Sequence, residues 1–207
     1  HTLGRPFGLW VCSRRGAGTH WPYQHPAWKV VPVKARWYSL REQIEMPWRF
    51  AKEHLDLLHV PHFNVPIFYR GRLVVTIHDL ILEEFPTERA STLAPIMFRL
   101  KLLAYKFTLR HAVEQAKRVI TISQYSKQAL LKQFPKASEK TVITYEAVDP
   151  IATASTWEQL AAHGITKPYF LYAGNAYPHK NLERLVPSFP VQTKNNPNPR
   201  LVLFGNG

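Results

Sequence analysis

The amino-acid sequence predicts an α/β fold in which helices cover a parallel β-sheet. Short apolar runs alternate along the chain with longer segments of helical pattern, which is the order expected of successive β-α-β units. The apolar runs are almost unbroken, as in strands that helices bury on both faces. With 207 residues, 45% of them hydrophobic, the chain can bury a core in one domain, or in one domain and part of another.

The predicted elements of the first 150 residues begin after an irregular stretch. Residues 1–28 hold Trp10, Trp21 and Trp28 without a clear period, and we expect no regular structure there. Apolar runs then predict strands at residues 30–33, 56–60, 73–77, 119–122 and 141–144. Helical patterns predict helices at residues 39–55, 91–117 and 123–134.

Local signals refine two of these helices. Ser39 and Glu42 have the spacing of a capping box at the start of the first helix. Pro47 is expected to interrupt that helix, because proline removes a backbone donor and clashes with the preceding turn. Pro95 fits the long helix only in its first turn.

The last third of the chain repeats the alternation of strands and helices. Residues 169–173 and 201–204 read as strands, residues 155–163 and 181–189 as helices, and residues 193–200 as a surface loop. A polar linker rich in Ala and Thr follows Asp149–Pro150. We therefore expect one domain over residues 1–150 and the beginning of a second over residues 151–207.

Composition narrows the kinds of partner. The net charge of +13 favours anionic partners such as nucleic acid, acidic lipid or phosphorylated substrates, while a basic solvated surface without a partner is the alternative. The single cysteine, Cys12, excludes an internal disulfide and fits a reducing compartment. The sequence contains no run of 18 apolar residues, so we expect no membrane span.

Several chemistries lack their motifs. Asp56, Asp79 and Asp149 form no Asp-x-Asp pair for holding a divalent metal on a diphosphate. The glycines give neither a dinucleotide-binding fingerprint nor a P-loop, and no nucleophile elbow occurs. His59 and His62 are three residues apart, but on an extended segment such side chains point to opposite faces, so we expect no metal site.

Three segments together resemble one enzyme family. They are residues 56–66 (DLLHVPHFNVP) with 74–80 (VVTIHDL), residues 116–130 (AKRVITISQYSKQAL) with 142–149 (VITYEAVD), and residues 169–185 (YFLYAGNAYPHKNLERL) with 201–207 (LVLFGNG). Their order and spacing resemble the retaining glycosyltransferases of family 4, which include many bacterial mannosyl- and glucosyltransferases. The third segment is the most specific of the three.

The resemblance implies two Rossmann-like domains that face a cleft, the arrangement called GT-B. It implies that a lipid-linked or polysaccharide acceptor binds the N-terminal domain, here residues 1–150, and that a nucleotide-sugar donor binds the C-terminal one, here beginning at residue 151. It also implies transfer with retention and without a metal or another cofactor. A glutamate pair that holds the donor in the family is not found in this sequence, so we expect a truncated member with reduced or no activity alone.

The third segment supplies the donor-site candidates. Gly174 follows a predicted strand, so its backbone can come close to a ligand. Lys180 lies at the predicted start of the next helix, where a cation beside free N–H groups suits a diphosphate. The resemblance implies that Lys180 is the donor-phosphate lysine, and an exposed lysine at a helix start is the alternative. Asn175 stands where many members carry arginine, so it brings no charge to that site.

The other segments supply the catalytic and acceptor candidates. His78 ends the strand 73–77 at the edge where parallel sheets bind ligands, and the resemblance implies that it reaches the transferred sugar. A structural His78–Asp79 pair is the alternative. Ser123 is expected to cap a helix and could also contact a ligand at the cleft. Asn64 lies in a loop that could touch the acceptor.

A basic stripe is derived without the family. At 100° per residue, four basic side chains of the long helix share one narrow stripe: Arg99, Lys106, Arg110 and Lys117. Apolar residues lie to one side of it: Leu93, Ile96, Leu100, Leu103 and Phe107. Such a stripe suits anionic lipid headgroups, and a helix packed on the sheet with a solvated basic edge is the alternative. No nucleic-acid-binding motif accompanies it.

These observations predict a cytoplasmic glycosyltransferase that is peripheral on the inner face of the plasma membrane. The alternative is a non-catalytic Rossmann-type module that holds an anionic polymer or a membrane on its basic surface.

Overall fold

A computed structural model describes residues 9–14, 28–36, 38–85, 95–148, 156–192 and 199–205. Contacts divide the chain into two units, residues 1–80 with 103–145 and residues 81–102 with 146–207. Each unit is described by itself below. Asp149 and Pro150, at the predicted domain boundary, lie outside the described residues. The boundary between residues 150 and 151 therefore stays a prediction.

The first unit contains a four-stranded parallel sheet. Its strands are β3 (Leu58–Val60), β4 (Leu73–Ile77), β5 (Arg118–Thr121) and β6 (Thr141–Ile143), and they pair in chain order. Strand β4 is the centre of the core, since Leu73, Val75 and Ile77 are at most 1% exposed. This sheet confirms the predicted α/β class with a parallel sheet.

Two further strands of this unit correct the prediction for the N-terminal stretch. Strand β1 (Leu9–Arg14) pairs in parallel with β2 (Trp28–Val33), with Leu9 opposite Trp28 and Arg14 opposite Val33. The expectation that residues 1–28 are irregular is therefore wrong for Leu9–Arg14 and for Trp28. A six-residue run without a clear period gives a weak local signal, and its extended form depends on pairing with a distant partner. Trp21 lies outside the described residues.

Helix α1 (Leu40–Lys52) continues through Pro47 without a break. Ser39 caps its start, because the Ser39 hydroxyl accepts a hydrogen bond from the Glu42 N–H at 3.2 Å. The expected interruption at Pro47 is wrong: a helix anchored by its cap and by buried Phe50 tolerates a proline that costs about 3 kcal/mol.

The remaining helices of the first 148 residues differ in length. Helix α2 (Ile81–Glu84) is a single turn that periodicity did not predict. Helix α3 (Pro95–Gln115) begins with Pro95 in its first turn, as expected, and α4 (Gln124–Gln133) follows Ser123. A 3-10 helix, Pro135–Lys140, leads into β6.

Helix α3 buries the side opposite to the apolar residues that lie beside the basic stripe. Its buried residues are Phe98, Tyr105, Leu109, Ala112 and Val113. The apolar residues beside the basic stripe are exposed instead: Ile96, Leu100, Leu103 and Phe107. At 100° per residue these two sets lie about 180° apart. A helix that is apolar on two sides does not reveal from its sequence which side packs, and Leu93 lies outside the described residues.

The second unit contains a two-stranded parallel sheet. Strand β7 (Tyr169–Ala173) pairs with β8 (Arg200–Phe204), and the helices α5 (Trp157–Ala162) and α6 (Leu182–Gln192) accompany it. Large apolar side chains on both strands are exposed, among them Phe170, Leu171, Leu203 and Phe204. In the part of the chain that the structure describes, no helix is both long and apolar enough to cross a bilayer.

Candidate functional site

The carboxyl ends of the parallel strands carry the predicted residues of the first unit. Asn64 lies in the loop after β3. His78 and Asp79 come directly after β4, and Ser123 comes after β5. Ligands of open α/β sheets bind outside this edge. The shared edge is the reason that residues far apart in sequence come close together.

His78 is held by hydrogen bonds from two directions. Its Nε2 lies 3.0 Å from the main-chain oxygen of Pro61. A carbonyl oxygen can only accept, so Nε2 carries the proton in this bond and donates it. The main-chain oxygen of His78 accepts a hydrogen bond from the Ser126 hydroxyl at 2.9 Å. Side chain and backbone of His78 are therefore both fixed at the sheet edge.

Ser123 is the N-cap of α4. Its hydroxyl oxygen accepts from the Ser126 N–H at 3.0 Å and lies 3.0 Å from the Ser126 hydroxyl. Because Ser126 also reaches the His78 carbonyl, the cap of α4 is connected to the strand that carries His78. The Ser123 side chain thus contributes to the position of the site, and contact with a ligand stays a prediction.

Asn64 is bound to the protein by its side-chain amide. Its Nδ2 donates to both carboxylate oxygens of Glu42, at 3.0 and 2.9 Å. The Glu42 carboxylate is buried and also accepts from the Tyr38 N–H at 2.7 Å. The Gln43 side chain accepts from the Ile67 N–H at 2.7 Å, so α1 holds the loop after β3 at two points.

His62 joins the site although sequence reasoning considered it only as a metal ligand. Its Nδ1 accepts from the Asn64 N–H at 3.3 Å, which leaves the proton of the neutral ring on Nε2. Partial burial, and then the nearby His78, lower the pKa of His62, while Asp79 raises it. The net lowering keeps the ring neutral at neutral pH, with an N–H group that can donate to a ligand.

The neighbouring His59 is engaged by a hydrogen bond within the sheet. The His59 Nε2 lies 2.9 Å from the Thr76 hydroxyl, and burial lowers the pKa of His59. Within the described ranges, no group of three His, Cys, Asp or Glu residues is arranged to hold a metal ion.

In the second unit, Gly174 occupies a tight turn after β7. Its φ of 149° is rarely adopted by residues with a side chain, and its N–H donates to the Phe204 oxygen at 2.9 Å. A Cβ added to Gly205 would lie 1.8 Å from the Gly174 oxygen, so the backbones of the two glycines lie in close contact. The Tyr172 hydroxyl donates to the Asn175 oxygen at 2.6 Å and closes the same turn.

Lys180 lies before α6 and not at its first turn. It is the last residue of a short 3-10 helix, Pro178–Lys180, and Asn181 follows with a left-handed φ of 58°. The oxygen of Asn181 accepts from the Arg184 and Leu185 N–H groups, at 3.1 and 3.2 Å, and so starts α6. The predicted helix start at residue 181 is therefore one residue too early, and the left-handed Asn181 separates Lys180 from α6. Lys180 and Asn175 are both exposed.

Four residues of these sites were missed by sequence reasoning as functional candidates: Tyr38, Glu42, His62 and Ser126. Glu42 was found only through its capping-box spacing, yet its side chain binds Asn64, which is 22 residues away. Ser126 lies three residues after Ser123, as Glu42 lies three residues after Ser39. This spacing could have identified Ser126 as a partner of the helix cap. Tyr38 has no local sequence signal, because its positive φ of 62° is rare for a tyrosine.

Comparisons with known proteins identify the family of the chain. A protein-family model described as Glycosyltransferase Family 4 matches residues 7–151 and confirms the resemblance seen in the sequence. The O-antigen chain mannosyltransferase RfbU of Salmonella typhimurium is 25% identical over 154 residues, which are 74% of this chain and 36% of that protein. The chain therefore spans about a third of the length of this curated relative. The family match includes His78 and Asn64, and Lys180 lies beyond it.

Proposed function

The chain belongs to glycosyltransferase family 4, and from this membership and the geometry of its strand edges we propose that it transfers a sugar from a nucleotide-sugar donor to a glycan or lipid-linked acceptor. The acceptor binds at the edge that carries His78, Asp79 and Asn64. The donor phosphates bind at the turn after β7, near Gly174, Asn175 and Lys180. The arrangement of His78 carries this proposal, since an imidazole fixed at a sheet edge can hold a reacting sugar in one orientation.

The chemistry at the donor is an electrostatic one. When the sugar leaves its nucleotide, negative charge develops on the diphosphate, and an ammonium group with backbone N–H groups stabilises that charge. The exposed ammonium of Lys180 follows the turn at Gly174, where no side chain stands between a ligand and the backbone. We propose that this stabilisation proceeds without a metal and with retention of configuration at the anomeric carbon.

Replacement of Lys180 tests the donor site. In an assay of sugar transfer, Lys180→Ala is expected to lower kcat about 100-fold or more, the effect typical of a lost group that stabilises developing charge. Lys132→Ala removes an exposed lysine of α4 and serves as the control. An unchanged rate in Lys180→Ala would refute the assigned donor site.

Two further measurements test the proposed chemistry. Transfer is expected to persist in EDTA, and NMR of the product is expected to show retained anomeric configuration.

Helix α3 supports a second proposal, which is contact with an anionic membrane. Ile96, Leu100, Leu103 and Phe107 form an exposed apolar row on this helix. The exposed side chains of Arg99, Lys106 and Arg110 lie about 60° to one side of that row at 100° per residue. An apolar row flanked by basic residues suits a bilayer surface, where the apolar side chains enter the acyl boundary and the cations meet acidic headgroups.

Vesicle sedimentation distinguishes this proposal from transfer. The chain is expected to bind vesicles of phosphatidylglycerol and phosphatidylcholine more strongly than vesicles of phosphatidylcholine alone. Leu100→Glu with Leu103→Glu is expected to abolish binding, whereas Leu171→Glu, on exposed β7, leaves it intact. Equal binding by both variants would contradict the role of α3. Vesicle binding by a chain that binds no nucleotide would favour a non-catalytic module over a transferase.

A further inference from the structure

The segment before α1 presents an exposed aromatic ring on a strained backbone. Tyr38 has a φ of 62°, a conformation that costs a residue with a side chain about 1–2 kcal/mol. Its ring is nevertheless 64% exposed, so burial of the ring does not compensate for the strain. Strained residues of this kind concentrate at ligand-binding positions, where the surrounding structure holds them.

Hydrogen bonds hold Tyr38 in this conformation. The Tyr38 N–H donates to the buried Glu42 carboxylate at 2.7 Å, and the next residue, Ser39, donates to the Arg36 oxygen through its hydroxyl at 2.6 Å. The same carboxylate binds the side chain of Asn64. A single buried acid therefore fixes both Tyr38 and the loop after β3 relative to each other.

The Tyr38 ring belongs to a group of aromatic rings at the carboxyl edge of the sheet. Its centroid lies 6.2 Å from the centroids of His62 and of Phe63. Phe63 lies 4.1 Å from His62 and 4.7 Å from buried Tyr105, which anchors the group in the core. Tyr105 thus supports the Phe63 ring from the core, while Tyr38 and His62 are exposed to solvent.

Polar groups border these rings. Partial burial, and then the Glu42 carboxylate, raise the pKa of Tyr38, so that its hydroxyl stays protonated and can donate. The N–H on Nε2 of neutral His62 is a second donor. His78 and Asp79 lie near enough to His62 to influence its charge. Apolar ring surface next to several donors and acceptors suits a pyranose, which offers C–H groups on its faces and hydroxyls around its edge.

From this arrangement we propose that Tyr38 and His62 form a binding subsite for a pyranose ring of the acceptor, with Tyr38 contacting the sugar face and His62 donating to a hydroxyl. The inference rests on the proposed function, because it assigns the acceptor glycan to this edge. Glu42 acts as a positioning residue, since it holds Tyr38 and the Asn64 loop without itself reaching solvent.

Saturation-transfer NMR with this chain tests the subsite directly. The probes are the methyl glycosides of mannose, galactose, rhamnose and N-acetylglucosamine at millimolar concentration. At least one is expected to receive saturation from the wild-type chain and to lose it in Tyr38→Gly. Tyr38→Phe is expected to keep most of the signal. His62→Phe keeps a ring but has no donor, and it is expected to weaken the affinity about tenfold, the loss of one hydrogen bond to a ligand.

Stability separates a binding role from a structural one. Glycine adopts a positive φ without strain, so Tyr38→Gly should leave the melting temperature unchanged or raise it while sugar binding is lost. Phe170→Ala is the matched control, because Phe170 is an exposed ring in edge contact with another ring, Phe189, on strand β7 of the second unit. A large loss of stability in Tyr38→Gly with unchanged sugar signals would overturn the subsite.

Nucleotide titration keeps this inference apart from the proposed transfer. Binding of UDP or GDP is expected to be lost in Lys180→Ala and retained in Tyr38→Gly. If no glycoside contacts the wild-type protein but the protein still transfers sugar, the subsite is wrong and the function stands. If glycosides contact Tyr38 but no nucleotide binds, the subsite stands and the proposed donor site fails.

Discussion

The sheet β3–β6 and the sheet β7–β8 are made from similar sequence and differ in burial. Leu73 of β4 is 1% exposed, whereas Leu171 of β7 is 60% exposed. Both strands are short apolar runs followed by a turn and a helix, so the difference comes from what covers them. An apolar run therefore indicates a capacity for burial, and the neighbouring strands and helices determine whether the burial occurs.

The candidate sites inherit this difference. His78 and Asn64 are fixed by hydrogen bonds to the Pro61 oxygen and to the buried Glu42 carboxylate. Lys180 is exposed and follows a strand with little cover. We expect the sheet edge with His78 and Asn64 to be preorganised and the turn after β7 to be the more mobile of the two, because local stability follows buried apolar contacts.

The largest expected effect is that of shortening a buried leucine. Leu73→Ala is expected to lower the free energy of unfolding by about 2–5 kcal/mol, because it leaves a cavity in a closed core. Leu171→Ala is the matched control on β7 and should cost about 0.5 kcal/mol or less. Urea denaturation measures both. Similar losses at the two positions would mean that β7 is as well covered as β4.

An added methyl group at Gly205 tests the contact between β7 and β8. Gly205→Ala places a Cβ against the Gly174 oxygen and is expected to cost about 1–3 kcal/mol, since the backbones must separate. Hydrogen exchange should accelerate at the Gly174 N–H and stay unchanged at Val75. Gly164→Ala is the control, because Gly164 has a φ of 71° but open space around it, so only the backbone strain of about 1 kcal/mol remains.

Removal of the Ser126 hydroxyl tests how firmly His78 is anchored. Ser126→Ala leaves the His78 oxygen without this donor and is expected to cost about 1 kcal/mol. The imidazole resonances of His78 should shift, while those of His163 in the second unit should not. Ser138→Ala, on the 3-10 helix before β6, is the control for loss of a serine. Unshifted His78 resonances would show that the Ser126 hydrogen bond does not help to position the ring.

The smallest expected effects concern the charge of His62. Asp79→Asn should lower the pKa of His62 further, and His78→Gln should raise it, since these neighbours act in opposite directions. NMR titration of the imidazole protons measures both shifts. Changes of the reverse sign would place His62 away from His78 and Asp79.

The same physics sets a pH dependence of stability. Burial is the first cause of the lowered pKa values of His59, His62 and His111. The unfolded chain therefore binds more protons than the folded chain once the pH falls below the ordinary histidine value of 6.5. The contribution of these three histidines to stability is fully present above that pH. It declines as the pH decreases towards their pKa values in the folded chain. A urea midpoint that rises as the pH is lowered from 7 to 5 would contradict this expectation.

The sequence by itself determined the local parts of this protein. The apolar run at residues 73–77 specified the central strand, His78 was correctly placed at its carboxyl edge, and Gly174 at the turn after β7. Periodicity and turn chemistry act over a few residues, so these features follow from short segments.

Only the tertiary structure decided the rest. It selected the buried side of α3, which is apolar on two sides, and it paired Leu9–Arg14 with β2. It also joined Asn64 to Glu42 and set Tyr38 beside His62. Such contacts depend on which elements pack together, because the free energy of burial and of long-range hydrogen bonds is gained only after distant segments meet.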